Sequence, residues 1–543
     1  MTAEKSLRTG RQDLVFYAAA FGIGLAAMLL YAWFFARVMF PYSYDSASYI
    51  SAARNLLEGK GLLAPTLADG DQDLQTIFLW PPGYPLLIYL FSFVLGTPYA
   101  AALFVSRLSL ALVPVAAFWL VRPYCTPGRA LLLSLLFWTP LGLMGNAYDT
   151  GSDAPFFLFA LLSTGAFLRG IDRNDVRFLA ASGALGGASL VIRNIGLFLL
   201  ASQAVVLIIA SVDDKFDLKL MFRRAASWGF AAAIPAAALL MWNWTQFGTL
   251  SPYDMPPSTV GAVENIGAAM GAYAFDSFPH GQWFASHYPW VIAILFALVV
   301  LPLFRGTFVR YEQDKPLCRF TLLAVIYAVL GTIMTVVART RYQWGEPISI
   351  RHIAQYDSFL IASALIWLGR FWSVQRRTAG AVIAAIVLAI VGGRAWFFVQ
   401  RYQYLSPASK QPSVSSMGND REAQNAILHY SRLPQLQDLA ARISPGCHVS
   451  TNLYTVMDSV LGQNAHDLDE KQLIALDRLY MEILNDRAKT RPALIVLGQT
   501  PVIRKTSATW RQALQNALPD FRLLRFDPAS LIVLESAKGG CLR

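Results

Sequence analysis

Residues 80–98 read Trp80-Pro81-Pro82-Gly83-Tyr84-Pro85-Leu86-Leu87-Ile88-Tyr89-Leu90-Phe91-Ser92-Phe93-Val94-Leu95-Gly96-Thr97-Pro98. The apolar run 84–95 holds about 12 residues, whereas a helix needs about 17–25 to cross a bilayer. With proline and glycine on both sides, it reads as an interfacial or re-entrant helix. Whether it crosses decides on which side of the membrane every later loop lies.

Eleven longer apolar runs surround it, at about 14–37, 100–121, 130–147, 154–169, 177–192, 195–211, 225–246, 289–304, 319–338, 354–369 and 379–399. Apolar residues make up 55% of the 543 and charged residues 15%, against roughly 25% charged in a soluble domain. Mean hydropathy is +0.43. Such a chain cannot cover a water-soluble globule with charge, and four cysteines are too few for a disulfide scaffold. The reading is a polytopic α-helical membrane protein of about 11 spans.

Lysine and arginine test the parity, because cytoplasmic loops carry the excess. With 84–95 left out and the N-terminus inside, the inside segments are 1–13, 121–129, 169–177, 211–224, 304–319 and 370–378. They hold 19 basic and 9 acidic residues. Outside, 38–99 holds Arg54 and Lys60, 148–153 and 247–288 hold none, and 339–353 holds three. Counting 84–95 as a span would put the poorly charged loops in the cytoplasm. Most of the net charge of +11 is therefore a topology signal and not a nucleic-acid footprint. The first apolar run lacks a small-residue cleavage site and reads as a signal anchor.

From about Arg401 the character changes. Residues 401–543 hold 17 basic and 13 acidic side chains, and no run is long enough to span. The stretch 401–422 reads as a linker. Helices are expected at 435–443 and 509–517, and strands at 448–452, 493–497, 521–526 and 531–534. Two domains follow: 1–400 in the membrane and 401–543, an extracytoplasmic α/β domain. Cys447 and Cys541 both fall in it, and an oxidising exterior would permit a bridge; two unpaired thiols are the other reading. Cys125 and Cys318 fall in cytoplasmic loops.

The informative polar residues lie at the outer face. The first outer loop begins Pro41-Tyr42-Ser43-Tyr44-Asp45-Ser46-Ala47-Ser48-Tyr49, with an amphipathic helix running on through 50–59. Asp45 is either a cap for a helix over 46–57 or a functional carboxylate at the membrane surface. The second outer turn reads Asn146-Ala147-Tyr148-Asp149-Thr150-Gly151-Ser152-Asp153-Ala154-Pro155. Asp153 can cap the next span, with Pro155 inside its first turn. Two acidic turns at one face with no local cation suggest a shared site, where a carboxylate can deprotonate a hydroxyl or hold a cation. Arg339, Arg341 and Arg351 break the positive-inside pattern; a guanidinium fork binds phosphate bidentately, and an ion pair with Glu346 is the plainer reading. Arg193, ending the fifth span, is a further exception. His280 and His287, seven apart, match no strong metal signature, so no metal is assigned.

Asp45, Ala52-Ala53-Arg54-Asn55-Leu56-Leu57 and Trp80-Pro81-Pro82-Gly83-Tyr84-Pro85-Leu86 together resemble the first outer loop of GT-C glycosyltransferases. The nearest groups are the protein O-mannosyltransferases and the lipid A aminoarabinose transferases. Arg107 matches an arginine of their next span, and Ser152-Asp153-Ala154-Pro155-Phe156-Phe157-Leu158 resembles their second acidic loop. Val191-Ile192-Arg193-Asn194-Ile195-Gly196, Asn243-Trp244-Thr245-Gln246-Phe247-Gly248 and Arg351-His352 also resemble bacterial members, the last departing from the commoner Arg-Tyr pair. The resemblance spans about 14–400, as weak motifs in the right order. It implies an inverting transferase of the bacterial inner membrane that takes a sugar from a polyprenyl phosphate and passes it to an acceptor glycan, lipid or protein outside. Asp45 would be the base or acceptor-orienting carboxylate, Asp153 a second essential acid, and Arg351 a donor-phosphate ligand. Asp149, Arg341, His352 and Arg193 complete the expected substrate-binding set, and a divalent metal is compatible with it. The competing class is a transporter or lipid-linked-sugar flippase, which calls for inverted repeats and ionisable residues near the midplane; here charges cluster at span ends. A scaffold would tolerate loss of Asp45 and Asp153.

Overall fold

The computed structural model describes residues 3–35, 44–64, 75–77, 79–147, 150–213, 217–252, 257–277, 287–342, 348–371, 376–405, 430, 433–453, 456–457, 461–462, 464–468, 473, 475–498, 508–526 and 531–543. Helices dominate the part before residue 406: α1 (Ala3–Phe35), α2 (Tyr44–Leu57), α3 (Gly83–Leu95), α4 (Pro98–Val121), α5 (Pro127–Trp138), α6 (Leu141–Met144), α7 (Asp153–Arg173), α8 (Val176–Ile192) and α9 (Gly196–Asp213). Then come α10 (Leu218–Phe247), α11 (Ala262–Ser277), α12 (Pro289–Val309), α13 (Lys315–Arg341), α14 (Ile350–Phe371) and α15 (Arg376–Leu405).

Every apolar run read from the sequence is helical over its described residues, the one at 130–147 in broken pieces. Among the described residues seven helices are long and apolar enough to cross a membrane, or eight if α5 with the α6 segment counts as one bent span. Two more of the expected spans, α8 and α9, are apolar but shorter. The remaining one, α14, carries Arg351, Asp357 and Arg370 within its 22 residues. The run 84–95 is the 13-residue α3, too short to span as expected. The expectation of one continuous span over 130–147 is corrected. The chain bends by 71° between α5 and α6, where Thr139-Pro140 intervenes and proline cannot supply the amide that a continuous helix needs.

The C-terminal part contains α16 (Pro434–Arg442), α17 (Arg478–Thr490), α18 (Ala508–Ala517) and a five-stranded sheet. Its strands are β1 (His448–Thr451), β2 (Ala465–Asp467), β3 (Ala493–Gly498), β4 (Phe521–Phe526) and β5 (Leu531–Ser536), in spatial order β2-β1-β3-β5-β4. β1 pairs in parallel with β2 and β3, and β5 runs antiparallel between β3 and β4. β3 and β5 are buried at every position, as central strands covered on both faces must be. Leu494, Val496, Leu531 and Val533 face a core that includes α16. Ala493, Ile495, Leu497, Ile532 and Leu534 face α17 and α18. The first face also buries Ala47 of α2, so the sheet is packed against the helix of the first acidic turn. The expected linker is corrected over 401–405, which continue α15; 406–422 lie outside the described residues.

Cys447 and Cys541 are disulfide-bonded, Cα–Cα 5.0 Å, closing 94 residues of sequence. The bridge ties the strand leading out of α16 to the chain end. Replacing both cysteines with serine is expected to cost the C-terminal part about 2–5 kcal/mol, read as earlier loss of amide-exchange protection in β3 and β5 with urea.

Candidate functional site

Asp45 lies in the first turn of α2, which starts at Tyr44, two residues earlier than a cap at Asp45 would require. A carboxylate there is favoured by the exposed amides of the helix start. The expected surface amphipathic helix is corrected too. Ser46, Ala47, Ser48, Tyr49, Ile50, Ser51, Ala52, Ala53 and Asn55 are all buried. Small residues around the whole circumference let two surfaces approach the same helix. On one side the Ser46 hydroxyl donates to the Thr150 carbonyl, and the Tyr49 hydroxyl meets Ser152 Oγ at 3.2 Å. On the other, Asn464 Oδ1 accepts from Arg54 Nη2 at 2.6 Å and from Ser51 Oγ at 3.3 Å. Burial, with the Asp45 charge adding to it, pushes the Tyr49 phenol well above its ordinary value, so Tyr49 serves as a neutral hydrogen-bonding group.

The second turn is held as firmly. Ser106 Oγ of α4 donates to the Gly151 carbonyl at 3.1 Å, Tyr84 Oη lies 2.7 Å from Ser106 Oγ, and Arg107 Nε donates to the Ala147 carbonyl at 2.9 Å. Asp153 is the first residue of α7, after Ser152; it is not the cap the sequence allowed. Its partner is Arg193, the extended residue ending α8. That helix end is brought in by α3: a Cβ on Gly83 would stand 2.5 Å from the Val191 carbonyl oxygen. Only a glycine permits the approach.

Arg351, at the start of α14, reaches back across 306 residues, and its Nη2 lies 2.5 Å from Asp45 Oδ2. The two side chains are 31% and 25% exposed, so the pair faces an opening and is not sealed in a core. On the Arg351 side lies a small cleft lined by Pro140, Gly142, Leu143, Asp153, Phe157, Arg351, Ala354 and Gln355. Asp153 and Arg351 thus share one cleft, and Asp45 and Arg193 are their ion-pair partners. Gly142 of α6 touches the backbone of Arg351: a Cβ would stand 2.6 Å from Arg351 Cα. Gly142→Ala is therefore expected to push the start of α14 aside and, at about 1 Å of misplacement, to cut turnover roughly 100-fold, measured as kcat of folded protein.

Other expected residues do not reach the cleft. The Arg341 guanidinium, exposed at the end of α13, stands over the Tyr342 ring at 5.3 Å. Arg339 is buried and donates to Ser258 Oγ at 3.0 Å. His352 turns its Nδ1 onto the Ser349 amide, 3.1 Å away. Asp149, Glu346 and His280 lie outside the described residues. Among the described residues no group of three His, Cys, Asp or Glu could hold a metal ion.

A buried charge cluster that sequence reasoning missed lies beneath the cleft. Arg394 of α15 is fully buried and donates to Asp276 Oδ2 of α11 at 2.9 Å and Asp357 Oδ2 of α14 at 3.0 Å. Its other donors reach the Asp276 carbonyl at 2.6 Å, the Leu136 carbonyl at 3.1 Å and Thr139 Oγ1 at 3.3 Å. Three ionisable residues in or beside apolar runs were the available signal.

The matching family model is described as dolichyl-phosphate-mannose-protein mannosyltransferase and covers residues 80–242. No curated protein sequence matches the chain. Among solved structures, ArnT from Cupriavidus metallidurans bound to undecaprenyl phosphate is 11% identical, over 96% of this chain and 97% of that one, with a TM-score of 0.56. The same protein in the apo state is 12% identical, over 97% and 98%, with a TM-score of 0.56. The archaeal oligosaccharyltransferase AglB from Archaeoglobus fulgidus, in complex with an inhibitory peptide and a dolichol-phosphate, is 11% identical, over 90% and 69%, with a TM-score of 0.50. At these identities the likeness is one of fold, and the chain shares the overall fold of ArnT and AglB.

Proposed function

We propose that the protein is an inverting glycosyltransferase that moves a sugar from a polyprenyl phosphate to an acceptor hydroxyl on a glycan, lipid or protein at the outer face of the membrane. The observation that supports this reading is a cleft lined by Asp153 and Arg351, with Arg193 and Asp45 from two distant segments as their ion-pair partners. In the reaction the acceptor oxygen bonds to the anomeric carbon from the face opposite the phosphate. Its proton passes to Asp45, and the electron pair of the sugar–phosphate bond leaves with the polyprenyl phosphate. The new charge on that phosphate needs a preorganised cation, and Arg351 stands in the cleft wall to meet it. Asp153, held by Arg193, borders the acceptor. Arg341, exposed at the end of α13, is assigned to the donor headgroup at the membrane surface. Asp149 completes the substrate-binding set, and His352, bonded to the Ser349 amide, orders the chain beside Arg351.

The family description and the polyprenyl phosphates named with ArnT and AglB support a lipid-linked donor. We divide the chain into a membrane part, 1–400, and an extracytoplasmic domain, 401–543, with the N-terminus in the cytoplasm of a bacterial inner membrane. The charge count supports this orientation. So does the cysteine pattern: Cys447 and Cys541 are bridged whereas Cys125 and Cys318 are free, as an oxidising exterior and a reducing interior would leave them.

The test is incubation of purified protein in proteoliposomes with radiolabelled polyprenyl-phosphate sugars and candidate acceptors. Label transferred to an acceptor, with inversion at the anomeric carbon, is the expected result. Flux of the lipid-linked sugar across the bilayer without transfer would replace this reading with a flippase.

A further inference from the structure

The cluster of Arg394, Asp276 and Asp357 lies one layer below the cleft, and no step of the proposed reaction uses it. Asp357 follows Arg351 by six residues on α14, about 9 Å along the axis at 1.5 Å per residue. Each group in the cluster holds a piece of the cleft wall. The Leu136 carbonyl and Thr139 belong to the end of α5, where the 71° bend leaves backbone groups without helical partners. The Leu141 amide, which opens α6, donates to Asp276 Oδ1 at 2.8 Å. The Asp276 carbonyl belongs to the end of α11. A single guanidinium thus joins the ends of α5 and α11 to Asp357 of α14, and Asp276 hands the same constraint on to α6.

From α6 the constraint passes to the cleft. Pro140, Gly142 and Leu143 form one wall of it, and Gly142 is packed on the Arg351 backbone too closely for a Cβ. Arg351 is therefore fixed twice by the cluster, through Asp357 along α14 and through Gly142 across the gap. A lysine in place of Arg394 would keep the charge but replace a planar fork of five donors with a single rotatable ammonium.

We infer that Arg394 is a positioning residue that sets Arg351 for the donor phosphate, acting through Asp276, α6 and Asp357. The inference rests on the proposed role of Arg351 and gives the buried cluster a part in donor recognition beyond holding the bundle together.

The experiment is a binding cycle with undecaprenyl phosphate as the probe, on the full chain purified in detergent. The proteins compared are wild type, Arg394→Lys, Arg351→Gln and the double variant. Arg351→Gln is expected to weaken binding about 10-fold or more. Arg394→Lys is expected to weaken it about 10-fold when Arg351 is present and by less than 2-fold when Arg351 is already glutamine. Such non-additivity marks residues acting as one unit; a residue that only supports the fold would weaken both backgrounds equally. Equal losses in the two backgrounds, or wild-type affinity in Arg394→Lys, would overturn the inference while leaving the function proposed above intact. Unchanged affinity in Arg351→Gln would overturn the role of Arg351 itself, and the inference with it. Should Arg394→Lys fail to fold, Asp357→Asn replaces it in the same cycle with the same expected pattern, since it keeps the side-chain size while removing the charge that holds the guanidinium.

Discussion

Asp45→Asn is expected to lower kcat by about 10²–10⁴-fold, the range supplied by a positioned general base, with no loss of folded protein. The side chains are nearly the same size, and the carboxamide oxygen can still accept from Arg351. What is lost is the capacity to take the acceptor proton. Stability should change little, because the Asp45–Arg351 pair is about a quarter to a third exposed and such pairs contribute roughly 0–1 kcal/mol. The measurement is the initial rate at saturating donor, beside a melting curve in the same detergent. An Asp45→Asn protein that melts like wild type and transfers sugar at the wild-type rate would remove Asp45 from the mechanism.

Arg351→Gln is expected to act differently. The leaving phosphate gains charge as its bond to the sugar breaks, and removing one preorganised donor to such a charge typically costs 10²–10³-fold in kcat. In the proposed reaction Arg351 would also meet the phosphate in the ground state, so the donor KM should rise as kcat falls, whereas Asp45→Asn should leave the donor KM near wild type. This split separates the two roles. Equal effects of both substitutions on donor KM would show that the Asp45–Arg351 ion pair acts only as a structural latch.

The membrane part was legible because a bilayer makes hydropathy and loop charge nearly sufficient: α1, α4, α7, α10, α12, α13 and α15 all follow apolar runs. The two acidic turns were legible as isolated carboxylates at span ends, and Arg351 as an exception to the positive-inside pattern. Three things were not. α2 was read as a one-faced surface helix because Ser46, Ala47, Ser48 and Ala52 look neutral in a moment, yet small residues are what allow burial on both sides. The break at Thr139-Pro140 was hidden inside a run apolar enough to pass as one helix. Arg394 pairs with residues 37 and 118 positions away, and no local pattern encodes such a partnership. In the C-terminal part, α17 was missed because its Arg478, Glu482, Asp486, Arg487 and Lys489 dilute the apolar period, and β2 is only three residues long.

The helix that carries Asp45 is shared property. One face is bonded to the turn before α7, and the other contributes Ala47 to the core under the C-terminal sheet and meets Asn464. A chimaera that joins the bundle of one relative to the terminal sheet of another will therefore mismatch at α2, however carefully the junction after α15 is chosen. Transplanting residues 44–57 together with the sheet repairs one face and spoils the other. Divergence in this lineage should then proceed by compensating changes on three surfaces at once, and α2 should be the slowest of them to drift.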